Sequence, residues 1–191
     1  LRTLDSKEVR SGFAEIIKHC LIADKSKWNE IKTNTDLSKF DWMELAKHSV
    51  GIKEKITLED PLEKGLRKIL NFGHTVGHAI ESHFLFIPNK RLLHGEAIAA
   101  GMICESWLSV QKGFISMNEH TEIEKYILSV YGKTSITSEE IDVIVPLTIQ
   151  DKKNESGAIQ FSLLEKIGTA NFNISLTAAE ITASLHYYAS L

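Results

Sequence analysis

One stretch constrains the fold of this chain more than any other: a helix from about Gly95 to Lys112 whose first half, Ala97 to Cys104, is apolar at every position. A helix apolar all round has no face to give to water, so it must be the centre on which the rest packs. Gly113 is placed to end it. The flanking segments carry the one-sided pattern that such packing needs. Asp5 and Glu8 open a helix to about Ala23 with a stripe of Phe13, Ile16, Ile17, Cys20 and Leu21. A short helix is expected around Lys25 to Lys32, and Asp41 with Glu44 starts another that carries Leu45, Ser49, Ile52 and Ile56. Asp60-Pro61 reads as the cap and first-turn proline of a helix to about Phe84, ended by Ile87-Pro88-Asn89-Lys90. Ser116 with Glu119, then Ser138, then Thr177 with Glu180 open three more. Only Ala158 to Leu164 and Thr169 to Ile174 look like strands, a hairpin around Lys166-Ile167-Gly168. The expected fold is mainly α: one helical domain over residues 1–191, with a small β-hairpin near the C-terminus.

Composition removes several function classes. A net charge of −3 argues against a strongly basic nucleic-acid binder and against a polybasic membrane-surface protein. No run approaches the roughly 18–20 apolar residues that span a bilayer, and Leu1-Arg2-Thr3-Leu4-Asp5 has no signal-peptide core. Cys20 and Cys104 each sit alone in apolar helical patterns, so no disulfide framework or cysteine zinc site is expected. A reducing, cytoplasmic setting follows as the default. The chain does not open on Met and reads as a piece of a longer protein.

The chemistry concentrates between residues 63 and 81. Glu63, Arg67, Asn71, His74 and His78 share one face of a continuous helix, away from Leu66, Ile69, Val76 and Ile80. A solvated face favours Lys, Glu and Gln; two His, an Asn and an Arg in line read instead as the wall of a site. Gly73 and Gly77 weaken a helix interior by about 1 kcal/mol each relative to Ala, which makes sense if something packs closely on that turn. His74 and His78 at i, i+4 match a zinc-peptidase spacing, but Thr75 stands where that chemistry needs Glu. Glu15 lies beside the buried stripe of the first helix, where a carboxylate is normally paired or metal-bound. His94 opens the apolar helix, a place where a lone His is more often a core or cap residue.

Taken together, Ser11-Gly-Phe-Ala-Glu-Ile-Ile-Lys18, Lys53 to Arg67, Asn71-Phe-Gly-His-Thr-Val-Gly-His-Ala-Ile-Glu81 and Leu93-His-Gly-Glu-Ala97 resemble the C-terminal half of the 3-dehydroquinate synthase family. Asp151-Lys152-Lys153 and the hairpin fit as well. The resemblance implies a two-domain enzyme in which an N-terminal half, absent from this chain, binds NAD. It implies a helical half binding a divalent metal (Zn or Co) through Glu15, His74 and His94. One carboxylate and two imidazoles leave coordination positions open, as a catalytic metal requires. It further implies substrate contacts from Lys18, Lys53, Arg67, Asn71 and Lys152, proton handling by Glu63 and His78, and Thr3 near the cofactor. The implied reaction turns 3-deoxy-D-arabino-heptulosonate 7-phosphate into 3-dehydroquinate and phosphate, in a homodimer, with this chain alone inactive. Three readings compete: another sugar-phosphate cyclase, a metal-dependent polyol dehydrogenase, and a non-catalytic helical metal-binding module. The cationic cluster argues against an uncharged polyol.

Overall fold

The computed structural model describes residues 5–150 and 159–191. Helix α1 (Ser6–Ala23) starts where the Asp5 carboxylate accepts the Lys7 amide, and α2 (Lys25–Ile31) follows directly, capped by Asp24. Helix α3 (Trp42–Glu59) is capped by Asp41 through the amides of Met43 and Glu44. Then come α4 (His74–Phe84), α5 (His94–Gln111), α6 (Met117–Tyr131) and α7 (Ser138–Gln150). Strands β1 (Ile159–Lys166) and β2 (Thr169–Leu176) form an antiparallel pair, and α8 (Ala178–Ser190) closes the chain. Ser116 with Glu119 and Thr177 with Glu180 make the reciprocal caps that their spacing predicts.

The apolar helix is central, as its composition requires: α5 packs on α1, α4, α6, α8 and β1. Ala97 to Cys104 are buried without a break. None of the helices in the described residues is long and apolar enough to cross a membrane.

The helix expected from Pro61 to Phe84 is not continuous. Residues 61–65 form turns, Leu66–Asn71 is a 3₁₀ helix, and only from His74 is the backbone α-helical. Asp60 does not start a helix. Its carboxylate instead accepts the amides of Lys64 (3.1 Å), Gly65 (2.7 Å) and Arg67 (3.1 Å), winding the chain around one anionic side chain. Glu63 has φ +55°, and Gly73 adopts φ +79°, a left-handed backbone that interrupts the helical path. The hairpin supports this segment from below: Ser162 Oγ donates to the Lys68 carbonyl at 2.6 Å, and Lys68 Nζ donates to Asn173.

The close packing that Gly73 and Gly77 foretell is against α5. A Cβ on Gly73 would meet Met102 Cγ at 2.5 Å, and one on Gly77 would meet Ile98 Cδ1 at 2.8 Å. Across the crossing, a Cβ on Gly101 would stand 2.1 Å from the Gly73 carbonyl oxygen. Backbone cannot yield as a side-chain tip can. Gly101→Ala is therefore expected to destabilise the fold by about 1–3 kcal/mol or more through overpacking. Gly51→Ala, on α3 with nothing within 4 Å of the added carbon, is expected to stabilise by about 0.5–1 kcal/mol. Urea denaturation of both variants checks this, and equal effects would contradict the contact.

Candidate functional site

Gly73 occupies the cap position of α4, and a glycine has no side chain with which to bond the first-turn amides. Glu105, fully buried on α5, supplies the missing acceptor. Its carboxylate takes the Gly73 amide at 2.6 Å and the Val76 amide at 3.1 Å. An acceptor oxygen at a helix N-terminus also meets the positive end of the helix dipole. The cap fixes the first turn of α4, and with it His74 and, one turn on, His78.

His74 and His78 then meet His94, the first residue of α5. Ring centroids lie 5.1 Å apart for His74–His78, 5.6 Å for His74–His94 and 5.7 Å for His78–His94. One nitrogen from each ring lies within 4.8 Å of the others. Two of these rings have their tautomer set from behind. His74 Nδ1 donates to the Phe72 carbonyl (3.1 Å), and His94 Nδ1 donates to the Glu81 carboxylate (3.1 Å). Both acceptors lack protons, so in the neutral rings Nε2 carries the lone pair. Outer-shell carbonyls and carboxylates hold metal-binding imidazoles in the same way.

Glu15 reaches His74 from α1, whereas the residues whose ligand atoms all lie within 4.8 Å of one another are His74, His78 and His94, so the expected group of Glu15, His74 and His94 is joined here through His74 alone. Its Oε2 accepts from Lys18 Nζ at 2.8 Å, whereas Oε1 is buried without a hydrogen bond, 3.3 Å from His74 Nε2. A carboxylate oxygen facing a bare imidazole nitrogen is repulsive unless a cation, a proton or a metal ion, lies between them. Burial pushes the Glu15 carboxyl upward, but a His74 imidazole protonated at Nε2 and the Lys18 ammonium outweigh it and hold it well below the usual carboxylate range. The orphaned oxygen, the imidazole lone pairs and the outer-shell partners fit a divalent metal.

A cleft of about 200 Å³ opens beside Glu15 and His74. Lys18 and His19 from α1, Lys53 from α3, and Glu63, Arg67, Leu70 and Asn71 from the segment after Asp60 line it. The wound segment after Asp60 thus gathers the residues that a straight helix was expected to align. Asn71 Nδ2 donates to Glu63 Oε1 at 3.1 Å, and Arg67 donates to the Pro61 carbonyl while its Nε lies 3.9 Å from Glu63. Lys18 is held below the ordinary lysine range by burial, against the pull of Glu15. A larger cavity of about 310 Å³ lies elsewhere, floored by Phe84, Ala99, Ile103 and Tyr188. Of its charged groups, Lys90 pairs with Glu140, Glu96 pairs with Arg10, and Lys133 donates to the Ala189 carbonyl, and none of the imidazoles described above lines it.

Glu15, Lys18, Lys53, Glu63, Arg67, Asn71 and His74 therefore line one cleft, and His94 and His78 adjoin it through His74. The imidazole cluster includes His78, to which the resemblance gives a proton-handling role. Thr3 and Lys152 lie outside the described residues. Three residues escaped the sequence reading. Glu105 was visible as a carboxylate inside an apolar helix, Glu81 closes the histidine block, and His19 stands next to Lys18.

Comparison with known proteins bears on this geometry. Residues 12–154 match the family model described as 3-dehydroquinate synthase C-terminal. The chain is 39% identical over 190 residues to 3-dehydroquinate synthase of Parabacteroides distasonis, covering 98% of this chain and 54% of that protein. It is 35% identical to 3-dehydroquinate synthase of Bacillus cytotoxicus, covering 98% and 51%. The chain thus spans about half the length of the relatives it matches. Among solved structures, 2-epi-5-epi-valiolone synthase of Streptomyces hygroscopicus, with NAD+ and Zn2+ bound, is similar in fold (TM-score 0.77, 23% identity) over 98% of this chain and 53% of its own. So is 2-deoxy-scyllo-inosose synthase complexed with carbaglucose-6-phosphate, NAD+ and Co2+ (TM-score 0.76, 21% identity), over 98% and 53%.

Two outcomes follow from the site. Glu105→Ala strands two buried amides, each costing about 1–3 kcal/mol, so unfolding free energy is expected to fall by the sum; a change below 1 kcal/mol (about a fifth of the folding constant retained) would contradict the cap. The second concerns pH. His19 is pushed down to about 4 from 6.5, by burial first and Lys18 next. Below about pH 6.5 the unfolded chain takes up a proton that the native chain refuses. Stability should therefore fall as pH drops from about 6.5 toward 4, by at most about 1.4 kcal/mol per unit. Urea unfolding across that window is expected to show a shallower slope in His19→Gln, and an unchanged slope would contradict the assignment.

Proposed function

The chain belongs to the 3-dehydroquinate synthase C-terminal family, and from that premise we propose that it is the metal- and substrate-binding half of an enzyme making 3-dehydroquinate. In this reading the whole enzyme converts 3-deoxy-D-arabino-heptulosonate 7-phosphate into 3-dehydroquinate and phosphate. The overall course is oxidation of a ring hydroxyl, elimination of phosphate, reduction, ring opening and intramolecular aldol closure. NAD is assigned to the part of the relatives' length that this chain does not span.

The observation that carries the reading is the unsatisfied Glu15 oxygen facing His74 Nε2 at 3.3 Å, at the head of a cleft lined by Lys18, Lys53 and Arg67. Glu15, His74 and His94 would hold the divalent metal. When bound, such a metal acidifies a substrate hydroxyl and polarises a carbonyl, and NAD accepts and returns a hydride. The remaining work falls to the chain's own side chains. Arg67 offers a planar fork and Lys18, Lys53 and Lys152 offer point charges, which suits a substrate with both a carboxylate and a phosphate. Asn71 and Glu63, already bonded to each other, can turn that bond toward a substrate hydroxyl. Glu63 accepts a proton there, and His78, beside the metal ligands, moves protons near neutral pH.

The clustering of three imidazoles favours one second reading, in which His78 replaces Glu15 as a ligand. Metal content after dialysis separates the two. The purified chain is expected to retain one zinc, and His74→Ala to lose it with at least a tenfold weaker affinity. His78→Ala should retain metal while abolishing turnover in the complete enzyme. Loss of zinc from His78→Ala equal to that from His74→Ala would favour the imidazole triad. The chain by itself should release no phosphate from the heptulosonate phosphate, and measurable release would contradict the division of labour proposed here.

A further inference from the structure

His19 is almost completely buried, yet it lines the cleft. Its two nitrogens have different surroundings. Nδ1 lies 2.6 Å from Ser49 Oγ on α3, while Nε2 is buried with no hydrogen-bond partner. Ser49 decides the tautomer. Other buried helical hydroxyls here, Ser106, Ser109, Ser184 and Thr148, donate back to a carbonyl of their own helix. Ser49 makes no such bond, and among the described residues His19 is its partner. A buried hydroxyl must place its proton somewhere, so Ser49 donates to Nδ1. Nε2 then carries the ring's proton and is left as a buried donor with nothing to receive it.

The rest of the cleft indicates the missing acceptor. Lys18, Lys53, Arg67 and Asn71 contribute donors, and the two carboxylates, Glu15 and Glu63, are engaged by Lys18 and by Asn71. Lys53 has no carboxylate partner among the described residues. Lys18 and Lys53 also repel a second proton on the imidazole. A neutral N–H among cations suits an anionic oxygen: it adds a directed bond without adding charge.

We propose that His19 is a further substrate-binding residue, presenting its Nε2–H, oriented by Ser49, to an anionic oxygen of the ligand in the cleft. This rests on the proposed reading of the cleft as a substrate site, and it deepens it: one donor in the cradle is neutral and set in a fixed direction. The shared chemistry is an oxyanion, from a phosphate or a carboxylate.

The test uses the 191-residue chain labelled with ¹⁵N, at a pH near 7.5, with inorganic phosphate and acetate as probes. Long-range proton–nitrogen spectra are expected to show His19 protonated on Nε2. Its Nε2 signal should then move on titration, along the same saturation curve as the cleft. Movement with phosphate assigns the phosphate subsite to His19; movement with acetate alone assigns the carboxylate subsite. His19→Leu should weaken binding of the responding anion about tenfold. His19→Gln, whose amide can place an N–H near the same point, should recover most of it, and Ser49→Ala should weaken it by freeing the tautomer. A merely structural His19 would move neither the Nε2 signal nor the anion affinity in this order. If anion binding depends on Lys53 but His19 does not respond and His19→Leu binds equally well, the inference is wrong while the reading of the cleft stands. If neither anion binds in a Lys53-dependent way, both fall.

Discussion

The site depends on one buried carboxylate. Glu105 sits on the helix that the whole fold encloses, and its buried carboxylate accepts backbone amides there. Those donors belong to the start of α4, whose own cap residue, Gly73, has no side chain to offer. The absence is forced by contact. Gly73, Gly77 and Gly101 bring the backbones of α4 and α5 so close that a methyl group at any of them meets an atom within 3 Å. Close approach removes the local cap, and Glu105 restores it from across the interface. The same arrangement sets His74 and His78 opposite His94, because α5 supplies both the carboxylate and the third imidazole.

Charge in the cleft follows from how each group is held. Glu15 is held below the usual carboxylate range by Lys18 and by a proton on His74 Nε2, against its burial, and Lys18 keeps its ion pair despite being buried itself. Glu63 and Asn71 are tied to each other, while Lys53 has no carboxylate partner among the described residues. The result is a hydrogen-bond acceptor at Glu15 beside the hydrogen-bond donors Lys18, Lys53 and Arg67.

Much of the architecture was legible in the residues. The all-round apolar run from Gly95 is the centre, the reciprocal caps at Ser116 and Thr177 formed, and the hairpin turned where Gly168 allows φ +88°. The segment from Pro61 to Phe72 was not legible. Its polar residues fit helical spacing, but Asp60 spends its carboxylate on three amides further along, and Gly73 breaks the path. The residues meet nonetheless, because a 3₁₀ turn anchored on one side chain can present Glu63, Arg67 and Asn71 to the same space. The lining of the cleft was legible where chemistry is written in residue type, as in His74 and Glu15. What depends on packing stayed hidden: Glu105 as a distant cap, and the contact of His19 with Ser49 on another helix.

The central claim is that Glu15, His74 and His94, far apart in the chain, converge on one cation. Anomalous X-ray scattering at the zinc edge, from crystals of the chain grown with stoichiometric zinc, tests it most directly. The account predicts a single strong peak within bonding distance of Glu15 Oε1, His74 Nε2 and His94 Nε2. A peak bonded to other side chains, or a hydrogen-bonded Glu15–His74 pair with no metal between them, would contradict it.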